Sequence, residues 1–150
     1  MPAEDHPGTL PKRVLESRFF RFENDKEVYE MFRPAPDVIV MQVLGYSCAE
    51  AAVHATKSVE KEFGDTPFSV FADFTAVMGY EPAARRVLAS WVTAHAKQVK
   101  VGWFCTDSKV VEMGISVGSM IVSMVGVKIE VADYETWLAA LEEAMNASNS

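Results

Sequence analysis

The stretch FSVFADF, residues 68–74, decides the fold class, because it is apolar apart from Ser69 and Asp73. A short run of this kind, rich in aromatic residues, predicts a strand that is buried on both faces of a sheet. Two similar runs, VIVMQVL at 38–44 and VGWFC at 101–105, flank it in the chain. Segments with apolar residues at helical spacing separate the three runs. This alternation predicts an α/β domain with a mixed, mostly parallel β-sheet and helices packed on it.

The helices are predicted at 47–63, 82–100 and 108–125, with a last helix that begins after Asp133. Ser47 is the expected N-cap of the first, because Glu50 follows three residues later in the pattern of a capping box. Right-handed crossovers would bring these helices onto the sheet.

Two aromatic runs before the first buried strand, at 19–22 and 27–32, flank the turn-prone segment 24–26. They predict an N-terminal β-hairpin. Near the other end, apolar and charged residues alternate over 127–131, which predicts a half-exposed strand. We expect a flexible N-terminal arm over 1–12, one domain over 13–145 and a polar tail over 146–150.

Composition excludes several classes of function. The chain has 150 residues, a net charge of −7 and an apolar fraction of 49%, which disfavours nucleic acid and anionic membranes as partners. Its two cysteines form no disulfide framework, and residues 1–8 lack the features of a signal peptide, so we expect a cytoplasmic protein. The uncharged stretch 113–127 is too short to span a membrane.

Polar residues follow two of the buried strands, and the carboxyl ends of parallel strands usually border the ligand site of such sheets. They form a candidate functional rim: Asp73, Thr75, Tyr80, Glu81, Thr106, Asp107 and Ser108. The alternative is that these residues cap helices. A metal site built from Asp73, Asp107 and Glu81 lacks a supporting ligand spacing, so we predict no metal and no cofactor.

No catalytic residues are predicted. Cys48 lies near a predicted helix N-terminus, where the helix dipole can lower a thiol pKa, but no motif ties a histidine or asparagine to it. Cys105 ends a buried strand and is expected to serve packing. We therefore expect that the protein is not an enzyme.

The uncharged helix at 108–125 supports two interpretations. It could be buried between the sheet and its neighbours, or its outer side could contact a second copy of the chain, another protein or an acyl chain. The interaction surface would comprise Met113, Val117, Met120, Ile121 and Met124. A ligand cavity under this helix would be lined by Trp91, Trp103 and Phe104, with Met113 and Met120 as further candidates.

From Val38 to Leu141 the chain resembles the STAS-like family, the fold of bacterial anti-sigma-factor antagonists, and especially its SpoIIAA-like branch. The segments that carry the resemblance are 38–45, 71–75, 101–107 and 127–131 with Trp137-Leu138. Within them, Asp73-Phe74-Thr75 is similar to the Asp-Leu-Ser/Thr strand end of the family.

The resemblance implies a role in protein–protein contacts. Regulatory members carry a phosphorylated serine after that strand end, whereas the matching stretch here, Val77 to Pro82, has no serine or threonine. We therefore expect a non-catalytic interaction module that forms a homodimer and is not switched by phosphorylation; Glu81 could supply a constant negative charge there. The alternative is a carrier or sensor of a small apolar ligand, since the branch also resembles lipid-binding folds distantly.

Overall fold

A computed structural model describes residues 9–148. They form one sheet of six strands, and five helices pack on it. The strands are β1 (Arg18–Glu23), β2 (Glu27–Ala35), β3 (Val38–Ser47), β4 (Phe68–Tyr80), β5 (Val99–Cys105) and β6 (Lys128–Val131). The helices are α1 (Lys12–Leu15), α2 (Ala49–Phe63), α3 (Pro82–Ala94), α4 (Lys109–Ser123) and α5 (Tyr134–Ser148).

The strands lie in the sheet in chain order, from β1 to β6. β1, β2 and β3 pair antiparallel, which confirms the predicted hairpin, and β3 to β6 pair parallel. Each parallel connection contains one helix, as parallel strands require. The predicted mixed, mostly parallel sheet is therefore confirmed.

The two faces of the sheet carry separate cores. On one face, α2, α3 and α4 pack side by side over residues such as Tyr29, Ile39 and Phe68. On the other face, α5 and α1 cover Phe32, Val40 and Phe71. The sheet is thus covered on both faces, which explains why its central strands are nearly all apolar.

The strand that carries Asp73 is longer than predicted. We expected it to end near Phe74 and to be followed by a loop, but β4 continues to Tyr80. Residues 76–80 pair with the end of β3, and Val77 is buried while Met78 is exposed. Asp73 and Thr75 therefore lie inside a strand rather than at its end.

β3 continues through Gly45, beyond the apolar run at 38–44 that predicted it. Gly45 adopts a φ of 94°, and a side chain at this position would collide with the carbonyl oxygen of Lys26. The strand continues to Ser47, and the Tyr46 N–H donates a hydrogen bond of 2.9 Å to that carbonyl. The glycine therefore allows β2 and β3 to remain paired up to the start of α2.

Both ends of the described chain contain packed structure. Leu10 and Val14 are buried against the α5 side of the sheet, within or beside the predicted arm at 1–12, of which residues 1–8 lie outside the described range. At the other end, α5 includes residues 146–148 of the predicted polar tail.

Candidate functional site

A cavity of about 130 Å³ lies between α3, α4 and the sheet, and it is partly open to the surface. We call it the α3–α4 cavity. Its lining is almost entirely apolar and includes Val77, Leu88, Val92, Phe104, Ile115 and Val122. A second cavity of about 80 Å³ shares Leu88, Val92 and Phe104 with it and extends toward α2. Empty apolar space of this size is unusual in a small domain, because protein interiors are close-packed.

Small residues on the facing helices create the cavity. Ala84 and Ala89 of α3 lie opposite Gly114 and Gly118 of α4. The space beside Gly114 is filled by the Tyr80 ring, whereas a Cβ at Gly118 would meet its nearest neighbour, the Cγ of Arg85, at 3.9 Å. The empty volume therefore lies nearer to Gly118 than to Gly114.

Arg85 is the charged residue among those that line the α3–α4 cavity. Its Nε is buried and has no hydrogen-bond partner among residues 9–148. None of the carboxylates in that range forms an ion pair with its guanidinium. The arginine therefore contributes an unsatisfied donor to an otherwise apolar space.

The outer side of α4 is exposed and apolar. Met113, Val117, Met120 and Met124 follow one another at intervals of four, three and four residues, so they form one stripe along the helix. Met120 is 71% exposed and Met124 is 84% exposed; Ile121 lies beside the stripe and is also exposed. The structure thus brings all five residues of the predicted interaction surface to the protein surface. It also places Met113 and Met120 outside the cavity, contrary to our expectation that they line it.

The predicted ligand-lining aromatic residues separate onto different parts of the sheet. Phe104 lines both cavities, and Trp91 lines the smaller one. Trp103 lies on the opposite face, where its ring stacks on Phe71 at 6.5 Å between ring centroids. The prediction is wrong for Trp103, because adjacent strand residues point to opposite faces and Phe104 already faces the cavity.

The Asp73 carboxylate is fully engaged by neighbouring residues. Oδ1 accepts hydrogen bonds from the Thr75 N–H at 3.0 Å and the Thr75 hydroxyl at 2.7 Å. Oδ2 accepts one from Gln42 Nε2 at 3.1 Å. The side chain is 1% exposed, so this arrangement satisfies a buried charge and leaves no solvent-facing oxygen for a substrate.

The residues after β5 lie beside Asp73, because Asp73 pairs with Cys105. Ser108 is the N-cap of α4 and accepts a hydrogen bond from the Val111 N–H at 3.2 Å. The Thr106 hydroxyl accepts one from the Ser108 N–H, also at 3.2 Å, and Asp107 is exposed. Parallel pairing thus brings this half of the predicted rim together.

The other half of the rim serves different elements. Tyr80 packs against Gly114 of α4 and lines the α3–α4 cavity. Glu81 instead points to the start of α2, where its Oε1 accepts a hydrogen bond from the Ala49 N–H at 2.7 Å. Within residues 9–148, no three His, Cys, Asp or Glu side chains are placed to bind one metal ion.

A buried carboxylate, that of Glu27, accepts hydrogen bonds from Cys48, although no sequence pattern pointed to it. Glu27 Oε1 accepts hydrogen bonds from the Cys48 N–H at 2.8 Å and from the thiol at 2.6 Å. Burial and this carboxylate raise the pKa of the Cys48 thiol, so the expected lowering by the helix dipole is wrong. The N-cap is Cys48 rather than Ser47. Glu27 of β2 and Glu81, which follows β4, thus each accept a hydrogen bond from an N–H group at the start of α2.

The Cys105 thiol also lies in an environment that disfavours the thiolate. It is buried, and its Sγ lies 3.6 Å from Oδ1 of Asp73. Burial, together with the nearby Asp73 charge, raises the pKa of this thiol. Neither cysteine therefore has the electropositive surroundings of a reactive thiol.

Among residues 9–148, no helix has the length and apolar character that a membrane span requires. No protein-family model matches the chain. No curated protein matches it either.

The overall architecture is similar to that of a solved structure. The solved structure is that of an uncharacterized protein of the DUF3478 family from Shewanella loihica PV-4, described as having a SpoIIAA-like fold. The two chains are 16% identical, the match covers 82% of this chain and 99% of the other, and the TM-score is 0.58. At this identity the likeness concerns the fold. The chain therefore has a SpoIIAA-like fold, as its sequence predicted, and β1 and β2 form the N-terminal hairpin.

Proposed function

We propose that this protein is a STAS-type binding module, without catalytic chemistry of its own, that holds a small apolar ligand in the α3–α4 cavity. The observation that carries the proposal is the cavity itself, at about 130 Å³ with an almost wholly apolar lining. An engineered apolar cavity of about 150 Å³ in another protein stays dry and binds benzene. A ligand of comparable width would fill the space under α4.

The energetics of the empty cavity support a ligand. Side chains that face empty space lose dispersion contacts, and the cost rises with the volume of the cavity. An apolar ligand restores those contacts and removes its own surface from water. The buried Asp73 and the environments of the two cysteines agree with a protein that binds rather than reacts.

Binding of 1-octanol, measured by calorimetry and by the thermal unfolding midpoint, tests the proposal. A ligand at 100 times its Kd stabilises the native state by about 2.7 kcal/mol. Ala89→Leu would fill part of the cavity from α3 and should abolish binding. Ala83→Leu, the same substitution on the same helix away from the cavity, should preserve it. If the wild-type protein binds no 1-octanol and its native mass spectrum shows no copurified ligand, the proposal fails.

Self-association is a second candidate function, and the exposed stripe on α4 favours it. Apolar patches of this kind on a monomer commonly mark contact surfaces. The outer surface of α4 would pack against the same surface of a second copy.

Analytical ultracentrifugation of the wild-type protein, Met120→Glu and Val53→Glu tests this candidate. Met120 lies in the stripe, and Val53 is an exposed apolar residue on α2. We expect a dimer for the wild-type protein and for Val53→Glu, and a monomer for Met120→Glu. A wild-type protein that remains monomeric at high concentration would exclude a homodimer.

A further inference from the structure

Arg85 is the charged residue of the α3–α4 cavity lining, and its side chain is part-buried. Nε of Arg85 is buried without a hydrogen bond among the described residues. A buried donor that loses water without gaining an acceptor carries a free-energy penalty.

The position of Arg85 on its helix adds to the cost. It is the fourth residue of α3, whose first turn contains no acidic residue. Positive charge near a helix N-terminus opposes the helix dipole. Glu81, the N-cap residue, supplies a carboxylate at this end of α3, but its Oε1 accepts a hydrogen bond from the Ala49 N–H of α2. Among residues 9–148, no carboxylate forms an ion pair with Arg85.

We infer that the ligand of the α3–α4 cavity is an apolar monocarboxylic acid, whose carboxylate pairs with Arg85 and whose tail occupies the space under α4. This inference rests on the proposed function and specifies the class of its ligand. A guanidinium matches a carboxylate well, because its N–H groups form parallel hydrogen bonds to the two oxygens.

The charge balance of the site favours a monoanion. Arg85 is the charged residue of the lining, and the chain carries a net charge of −7. A carboxylate would neutralise the arginine, whereas a phosphate monoester with close to two charges would leave one without a partner. Tyr80 and Ser119 are also lining residues, and a hydroxyl group can donate a further hydrogen bond to a carboxylate.

Calorimetric titration with octanoate and with 1-octanol tests the inference, because the two probes share a tail and differ in charge. Wild-type protein should bind octanoate at least about ten-fold more tightly than 1-octanol, as expected for a charge-assisted hydrogen bond. Arg85→Met should remove this preference and retain 1-octanol binding. Arg86→Met is the matched control, since Arg86 is exposed and does not line the cavity; it should bind both probes as the wild-type protein does.

The possible failures are distinguishable. If the wild-type protein binds the two probes equally, or if Arg85→Met and Arg86→Met weaken octanoate binding to the same extent, the assignment of the carboxylate to Arg85 is overturned, while the cavity remains a ligand site. If neither probe binds, the inference is overturned, and the proposed function fails as well when the native mass spectrum shows no copurified ligand. The wild-type comparison decides the inference even if Arg85→Met does not fold.

Discussion

The two faces of the sheet are packed in different ways, although each is covered by helices. On the α5 side, Trp137 and Leu141 are fully buried, and Trp137 Nε1 donates a hydrogen bond of 3.1 Å to the Trp103 carbonyl oxygen. On the α4 side, the buried residues of the helix are Val111, Gly114 and Val122. Large side chains fill one interface, and small ones leave the other with a cavity.

The helices on the two faces therefore differ in how completely they pack against the sheet. The α5 helix buries large apolar side chains against the sheet, and burial of such side chains is a major favourable contribution to folding. The α4 side is incompletely packed and presents apolar residues both inward, to the cavity, and outward, to solvent. A helix in this position can rearrange at low cost, as elements that bind ligands commonly do.

The largest expected effect comes from a substitution in the well-packed core under α5. Trp137→Ala should lower the free energy of unfolding by about 3–5 kcal/mol, the range for truncating a large buried aromatic residue. Met124→Ala, on the exposed side of α4, should change it by no more than about 0.5 kcal/mol. Urea denaturation of both variants gives the comparison. Similar losses for the two would contradict a difference in packing between α5 and the outer surface of α4.

Two glycines one turn apart on α4 allow a second comparison, within the less completely packed side of the sheet. A Cβ at Gly114 would lie 2.5 Å from the Tyr80 hydroxyl oxygen, so Gly114→Ala should destabilise the protein by about 1–3 kcal/mol through overpacking. A Cβ at Gly118 would make an ordinary contact at 3.9 Å with the Cγ of Arg85, so Gly118→Ala should stabilise the protein by about 1 kcal/mol, because alanine favours the helix.

Thermal and denaturant unfolding of this pair measure both effects. The opposite signs are the essential result, since the substitution and the helix are the same. If both variants are destabilised, the space next to Gly118 is filled in solution.

A smaller effect concerns the start of α4. Ser108→Ala removes the hydroxyl that accepts the Val111 N–H, and loss of such a cap costs about 1 kcal/mol. Because few buried side chains hold α4, we also expect faster amide hydrogen exchange in α4 than in the wild-type protein, with no change in α5. Ser90→Ala, at an exposed position of α3, is the control. If amide exchange changes equally in α4 and α5, then α4 does not open separately from the rest of the protein.

Local pattern predicted the elements of this fold, because strands and helices bury apolar residues at different periods. The sequence is also enough to predict that Trp103 and Phe104 lie on opposite faces of the sheet, since neighbouring strand residues point to opposite sides. The extension of β4 to Tyr80 does not follow from local pattern, because polar Asp73 and Thr75 resemble a strand end, whereas Asp73 is buried and pairs with Gln42 of β3 and the pairing resumes at Ala76.

Although a cavity under the 108–125 helix is one of the expectations from sequence, its lining could not be predicted in the same way. The cavity arises from side chains that are absent at Ala84, Ala89 and Gly118, which lie on two helices. None of the three residues indicates a cavity by local pattern, and only the packing of α3 against α4 leaves space between them. The role of Glu27 is similar, because its contact with Cys48 joins residues that are 21 positions apart in the chain.

The last prediction uses that contact, which lies on the α2, α3 and α4 side of the sheet. Burial raises the pKa of the Glu27 carboxyl, and the nearby Glu81 charge adds to this effect. The folded state therefore holds the proton more tightly than the unfolded state. The stability that protonation provides is lost as the pH rises from the ordinary pKa of glutamate, about 4.3, through the higher pKa of the folded state.

Glu27→Gln keeps an acceptor for the Cys48 N–H but cannot ionise. We therefore expect the wild-type protein to lose stability relative to Glu27→Gln as the pH rises above about 4.3, and the difference to level off once Glu27 is ionised. Urea denaturation at intervals between pH 4 and pH 8 measures it. The same substitution at Glu142, which is exposed on α5, corrects for the general loss of a carboxylate. A wild-type protein that gains stability relative to Glu27→Gln over this range would show that hydrogen bonds at the start of α2 favour the charged form more than burial opposes it.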